Sequence, residues 1–238
     1  MTGILYGIGV GPGDPGLITV KAVEILKKVP FVFAAASSKN SYSVALDIVR
    51  KYLPSDTVVE CLSFPMTYDE NHLQSAWRAN GERVADVIAR GNDAAFVTLG
   101  DPLMYSTYIY LVKEVRKILP QVQVETVPGI TSFQAAASAC NLPLVEGEES
   151  LAVVSGARGS RNLKKMLQIC ENVVLMKVYK HIDEIIDTIC DMRLETSTYF
   201  ITRCGLQGQE IRSDIRSLKG SRVNYLSLMI VKSDVKSY

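Results

Sequence analysis

Three segments marked by glycine and proline carry the residue types that chemistry needs in this 238-residue chain. The first, Gly7-Ile8-Gly9-Val10-Gly11-Pro12-Gly13-Asp14-Pro15-Gly16, follows a short apolar run and precedes a helical pattern, where α/β proteins seat phosphates on backbone amides. A Gly-x-Gly-x-x-Gly can be read at Gly11, Gly13 and Gly16, but its chemistry suits a phosphate poorly. Pro12 and Pro15 have no N–H to offer, and Asp14 sets a negative charge where pyrophosphate would lie. The second strand runs into Ala36-Ser37-Ser38-Lys39, without the acid that would hold a ribose about 20 residues on. No Gly-Lys-Ser/Thr occurs, which excludes a Walker A loop. The segment therefore reads as a tight turn whose glycines take φ > 0, or as a wall that another molecule approaches closely.

The second segment, Thr98-Leu99-Gly100-Asp101-Pro102, ends an apolar run, at the strand edge where open α/β sheets bind ligands. Gly-Asp-Pro is also good turn chemistry. The third, Pro128-Gly129-Ile130-Thr131-Ser132, stands before a helical pattern, so the hydroxyls of Thr131 and Ser132 could cap that helix or hold a carboxylate at its N-terminus. Two histidines, His72 and His181, and five cysteines without Cys-x-x-Cys spacing supply no ligand set for a protein-held metal. Cys61, Cys140, Cys170, Cys190 and Cys204 read as reduced thiols, packed as small apolar side chains.

The elements that position these segments alternate between strand and helix patterns. Apolar runs predict strands at 4–10, 31–35, 58–62 and 94–99, with helical spacing between them at 20–26, 45–52, 73–88 and 108–115. Gly91 is placed to end the third helix. Leu119–Pro120 reads as a break, after which strands are predicted at 122–127, 151–155, 173–176, 199–202 and 225–231, and helices at 132–140, 163–169 and 182–192. The expected fold is α/β with two α/β domains, 1–119 and 120–238. The closer spacing of the last strands predicts antiparallel pairing in the second.

An apolar content of 47% and a charged content of 21% are ordinary for a globular protein. A formal net charge of +1 gives no global field towards nucleic acid or an anionic membrane, so any basic site must be local. The longest apolar run, near Phe31–Ala36, is too short to span a bilayer, and no leader pattern is visible. A cytoplasmic protein is expected.

The three segments, in this order and spacing, resemble the tetrapyrrole methylase family from Tyr6 to Val231. Phe64-Pro65-Met66 with Asp69, Leu73 and Trp77, the stretches Gly100–Tyr108 and Pro128–Phe133, Glu146-Gly147-Glu148-Glu149 and Leu175-Met176-Lys177-Val178 resemble its precorrin-2 C20-methyltransferase branch. The resemblance implies the class III S-adenosylmethionine methyltransferase fold, with the cofactor in a cleft between the domains. It also implies a homodimer acting on precorrin-2 or cobalt-factor II, with S-adenosylhomocysteine as product. Implied cofactor contacts are Pro12, Leu99, Gly100, Asp101, Met104, Thr131, Ser132, Met176, Arg203, Gly205 and Leu226. Asp14, Asp101 and Tyr105 are the candidates for a base that removes the C20 proton, and Lys39, Arg158, Lys177 and Arg203 for cations meeting substrate carboxylates. Pro12, Gly13 and Asp14 would line the substrate's side. Three rival functions stand beside this one: methylation at another carbon of a corrin-pathway intermediate, an NAD(P)-dependent oxidoreductase using the first loop, and a non-catalytic binding protein.

Overall fold

The computed structural model of the chain describes residues 2–36 and 43–233, and the chain divides into two compact units, Met1–Thr131 and Ser132–Tyr238. The first unit alternates β1 Ile4–Gly9, α1 Val20–Leu26, β2 Phe31–Ala36, α2 Val44–Val49, β3 Val58–Ser63, α3 Glu70–Ala89, β4 Ala94–Thr98, α4 Tyr108–Ile118 and β5 Gln123–Val127. Its five strands form one sheet in the order β3-β2-β4-β1-β5, with every neighbouring pair parallel. Parallel strands joined by crossovers are covered on both faces, so their runs are apolar throughout. All five residues of β4 are buried.

Alternate side chains feed two cores. Ile8, Val32, Ala34, Ala95 and Val97 pack with α1 and α2, through Ala22, Leu26, Ala45 and Val49. Leu5, Phe33, Ala94 and Phe96 pack with α3 and α4, through Val84, Ile88, Leu111 and Val115. Right-handed crossovers tie each direction of travel across the sheet to one face. The chain moves one way from β1 to β3 with α1 and α2, then back through β4 to β5 with α3 and α4. Neighbours β1 and β4 therefore continue towards opposite faces, which makes their carboxyl ends a topological switch point.

The second unit holds α5 Ser132–Ala139, β6 Leu151–Ser155, α6 Leu163–Leu167, β7 Asn172–Met176, α7 Ile182–Asp191, β8 Thr198–Thr202, β9 Glu210–Arg212 and β10 Ser227–Lys232. Its sheet order is β6-β7-β10-β8-β9. β6 and β7 pair in parallel, whereas β10 runs antiparallel to β7 and β8, and β9 antiparallel to β8. The isoleucines of α7 at 182, 185, 186 and 189 form a single stripe at helical spacing. They pack with Leu163 and Leu167 of α6 on Leu175, Phe200, Met229 and Val231.

Two expectations need correction. Leu119–Pro120 ends α4 but does not divide the units, because β5 pairs with β1 in the first sheet and the division falls at Thr131/Ser132. β9 was not anticipated, since its three residues Glu210-Ile211-Arg212 are all exposed and carry no apolar alternation.

The edge of the second sheet where β6 and β7 begin and β10 ends is tied by polar groups. Asn172 Nδ2 donates to Glu149 Oε2 at 2.9 Å, and Lys232 Nζ donates to the Pro143 carbonyl at 2.8 Å. The hydroxyl and backbone N–H of Ser150 both donate to Glu171 Oε2 and hold that carboxyl at about 2, below its ordinary 4.5. A carboxyl depressed by folding stabilises above its ordinary value and loses that contribution as pH falls towards the folded value. Glu171→Gln is therefore expected to lower the melting temperature at neutral pH, with the gap from wild type closing between pH 4.5 and 2. Thermal melts followed by circular dichroism across that range check this, and a gap that ignores pH would contradict it.

Candidate functional site

The carboxyl ends of β4, β1 and β5 meet through backbone alone. Val10 N donates to Thr98 O, and Gly11 and Gly100 form an antiparallel bridge, with Gly100 N donating to Gly11 O at 2.7 Å and Gly11 N to Gly100 O at 3.3 Å. Both glycines are left-handed, at φ 79° and 71°, a region closed to most side chains. A Cβ on Gly9 would lie 2.5 Å from Gly129 N, and one on Gly129 would lie 2.2 Å from Gly100 O. The glycines cluster because three backbones occupy this junction.

Asp101 closes it. Its Oδ2 accepts from Gly129 N at 3.1 Å and its Oδ1 from Leu103 N at 2.8 Å. The carboxylate thus joins the loop after β4 to the loop after β5, and each oxygen keeps further acceptor capacity. A buried hydroxyl pair, Thr98 Oγ1 and Ser106 Oγ at 3.0 Å, anchors the same loop, and Ser106 Oγ also accepts from Tyr108 N. Between these anchors Leu103, Met104 and Tyr105 stand exposed, Leu103 by 64%, while Leu99 is half-buried and Gly100 buried. Nothing in the sequence marks the Gly9–Gly129 contact, because it depends on strand order, whereas the Thr98–Ser106 pair forms within a single loop.

Several amides of the first loop are already hydrogen-bonded within the protein. Gly11 N goes to Gly100, Gly16 N to Asp14 Oδ1 at 2.7 Å and Leu17 N to Asp14 O, while Pro12 and Pro15 have none. Asp14 caps the turn Pro15–Leu17 and is exposed, whereas Pro12 and Gly13 are buried. At a switch point where dinucleotide sites open a crevice, this chain makes a backbone bridge.

In the second unit, the ends of β6, β7 and β8 share one sheet edge with the start of β10. Ser155 pairs with Met176, Met176 with Leu228, and Thr202 with Ser227. Ser132 Oγ lies 3.7 Å from Met176 Sδ, so two expected cofactor contacts meet there. Arg203 N donates to Leu226 O at 2.8 Å, which joins two more. Arg203 Nε donates to Gln207 O, and Gly205 N to Gln209 Oε1, in one turn after β8. Tyr179 and Tyr225, which belong to none of the motif segments, pack edge to face at 5.1 Å beside this edge. Burial pushes the Tyr225 hydroxyl up, Tyr179 adds to the shift and Lys180 opposes it.

Backbone strain points to the same loops. Of the non-glycine residues with positive φ, Asn141 and Arg193 follow α5 and α7, as helix C-caps do. Tyr105, Lys177 and Arg203 follow β4, β7 and β8, and each was singled out as a site residue from the sequence. Left-handed side chains cost about 1–3 kcal/mol and gather where function requires them. Burial also lowers the Lys177 ammonium from its ordinary value. Arg158 is exposed on the turn after β6, and Lys39 lies outside the described residues. Burial raises the thiols of Cys140 and Cys204, which disfavours the thiolate a nucleophile needs. Among the described residues no cluster of three or more His, Cys, Asp or Glu side chains could hold a metal, and no helix is long and apolar enough to cross a membrane.

Known proteins resemble this chain in sequence and fold. The family model for tetrapyrrole (corrin/porphyrin) methylases matches residues 4–219. A cobalt-precorrin-2 C(20)-methyltransferase of Salmonella typhimurium is 33% identical over 232 residues, which cover 97% of each chain. A probable cobalt-precorrin-2 C(20)-methyltransferase of Methanocaldococcus jannaschii is 37% identical over 185 residues, 78% of this chain and 76% of that protein. The uroporphyrin-III C-methyltransferase of Thermus thermophilus, complexed with S-adenosyl homocysteine, has the same fold: TM-score 0.71 at 21% identity, covering 99% of this chain and 100% of that one.

The junction predicts its own sensitivity. Gly129→Ala forces a Cβ onto Gly100 O and is expected to destabilise the first unit by about 1–3 kcal/mol in urea unfolding. Gly147→Ala, with positive φ but no neighbour within 4 Å, is expected to cost about 1 kcal/mol. Equal effects would show that packing at the junction is slack.

Proposed function

Since this chain belongs to the tetrapyrrole (corrin/porphyrin) methylase family, we propose that it is an S-adenosylmethionine-dependent enzyme adding a methyl group to C20 of precorrin-2 or cobalt-factor II. The observation that carries the reading is the near end-to-end relation to a C20-methyltransferase, with every motif loop at a strand's carboxyl edge.

The residues fit such a cofactor. Asp101 is a carboxylate fixed by two amides, able to face an ammonium or sulfonium. Leu99 and Met104 offer apolar surface on the loop after β4, and Pro12 and Gly100 lie at the backbone junction. Thr131, Ser132, Met176, Arg203, Gly205 and Leu226 complete the assigned set. Bound, the cofactor supplies a methyl on a sulfonium: the C20–CH3 bond forms as the S–CH3 bond breaks, and the electron pair returns to sulfur. The chain's part is to hold acceptor and donor in line, which can remove about 7–11 kcal/mol of barrier through effective concentration. Removal of the C20 proton falls to Asp14, Asp101 or Tyr105. Asp14 and Tyr105 stand on exposed loop positions, whereas both oxygens of Asp101 already accept backbone bonds. Arg158, Lys177 and Arg203 are the described candidates for meeting substrate carboxylates. The working form is assigned as a cytoplasmic homodimer that binds neither nucleic acid nor membrane.

Calorimetry is expected to show binding of S-adenosylhomocysteine and none of NAD(P); the reverse result would overturn the reading. Asp101→Ala should weaken that binding about tenfold or more, the scale of a hydrogen bond to a charged group. Asp101→Asn, which keeps an acceptor for the junction, serves as the folded control. Unchanged affinity in both would leave Asp101 a turn residue only. Incubation with S-adenosylmethionine and either acceptor, followed by NMR, should place the new methyl on C20; another carbon would refute the assignment.

A further inference from the structure

The outer face of α3 and α4 carries a groove of about 680 Å³ lined by Gln74, Trp77, Arg78, Tyr110, Lys113, Glu114, Arg116 and Lys117. None of its lining residues belongs to the loops described above. Tyr108 and Leu111 point into the core, whereas Tyr110 is 42% exposed. The only tryptophan of the chain, Trp77, stacks on Tyr110 with centroids 4.3 Å apart and planes 9° apart. Cations stand on both sides of the stack. Arg78 on α3 is held by Glu82, and Lys117 on α4 by Glu114, at 2.9 and 2.6 Å. Among the described residues no carboxylate pairs with Lys113 or Arg116, and both are exposed. In a chain whose net charge is +1, this is a local basic patch around a flat aromatic floor.

We propose that this groove is a second binding site, for a flat ring that carries carboxylates around its perimeter, of the chemical class assigned above to the acceptor. That identity rests on the proposed function; the groove's chemistry does not. A planar apolar ring extends the Trp77–Tyr110 stack, and charges spread round its rim meet Arg78 on one side and Lys113 and Arg116 on the other. A nucleotide, with its anionic groups at one end, matches this two-sided arrangement less well. The volume falls within the range of about 300–1,000 Å³ usual for small-molecule sites.

The probe is uroporphyrin, a flat octacarboxylate, titrated calorimetrically at low and high salt. Wild type is expected to bind it in two classes of site, both weakened by salt, one of them the groove. The double variant Lys113→Glu/Arg116→Glu, altered only at exposed positions, should lose that class while binding S-adenosylhomocysteine as wild type does. Tyr110→Ala should weaken the same class about tenfold, the scale of losing one stacking partner. Absence from wild type of any class that the charge variant loses, or classes unchanged in the variants, would overturn the proposal. So would binding of ATP in preference to uroporphyrin, or a changed oligomeric state of the charge variant in sedimentation, which would assign the face to a second copy. If the methyltransferase reading fails, S-adenosylhomocysteine binding fails while the class that the charge variant loses persists; if only the groove fails, the opposite holds.

Discussion

The meeting of three backbones at the ends of β4, β1 and β5 is the constraint on which the first unit depends. Gly9, Gly100 and Gly129 approach so closely that a single methyl group on Gly129 would sit 2.2 Å from a carbonyl oxygen. The Gly11–Gly100 bridge and the Asp101 carboxylate then join the connections that leave the switch point on opposite faces. The sheet order brings these ends together, and the glycines allow the contact. The cost in backbone entropy is spread over residues whose freedom is greatest when unfolded. In return, the loop that carries Leu103, Met104 and Tyr105 projects from a rigid base, and side chains exposed at its tip can face a ligand without the loop collapsing.

The same junction explains why a glycine-rich loop after a first strand need not bind a dinucleotide. Phosphate cradles work through unspent amides at a helix N-terminus. Here prolines remove some and the neighbouring loop and Asp14 consume others. The physical difference from a nucleotide-binding turn is one of hydrogen-bond accounting, which a pattern of glycines does not express.

In the second unit, strain is the organising feature. Lys177 and Arg203 are held left-handed just beyond β7 and β8, and register places Met176, Thr202, Ser227 and Leu228 along one sheet edge. The Arg203 side chain is fixed by a carbonyl of its own turn, and the Lys177 ammonium is partly removed from water. Groups prepared in this way lose less freedom on binding an anion than mobile surface lysines do.

Periodicity alone determined every strand and α-helix except β9. The runs at 4–10, 94–99 and 151–155 and the isoleucine stripe of α7 are local patterns of burial, so the strands and helices stand where the spacing places them, to within a few residues. Turn chemistry also located the loops that carry Asp101 and Ser132. What tertiary structure alone decided are relations between distant residues: that Asp101 meets Gly129, that Ser132 meets Met176, that β5 belongs to the first sheet, and that Trp77 stacks on Tyr110. None of these follows from spacing along the chain. Each depends on which strands become neighbours, and that choice is made by the burial of both faces of a sheet at once.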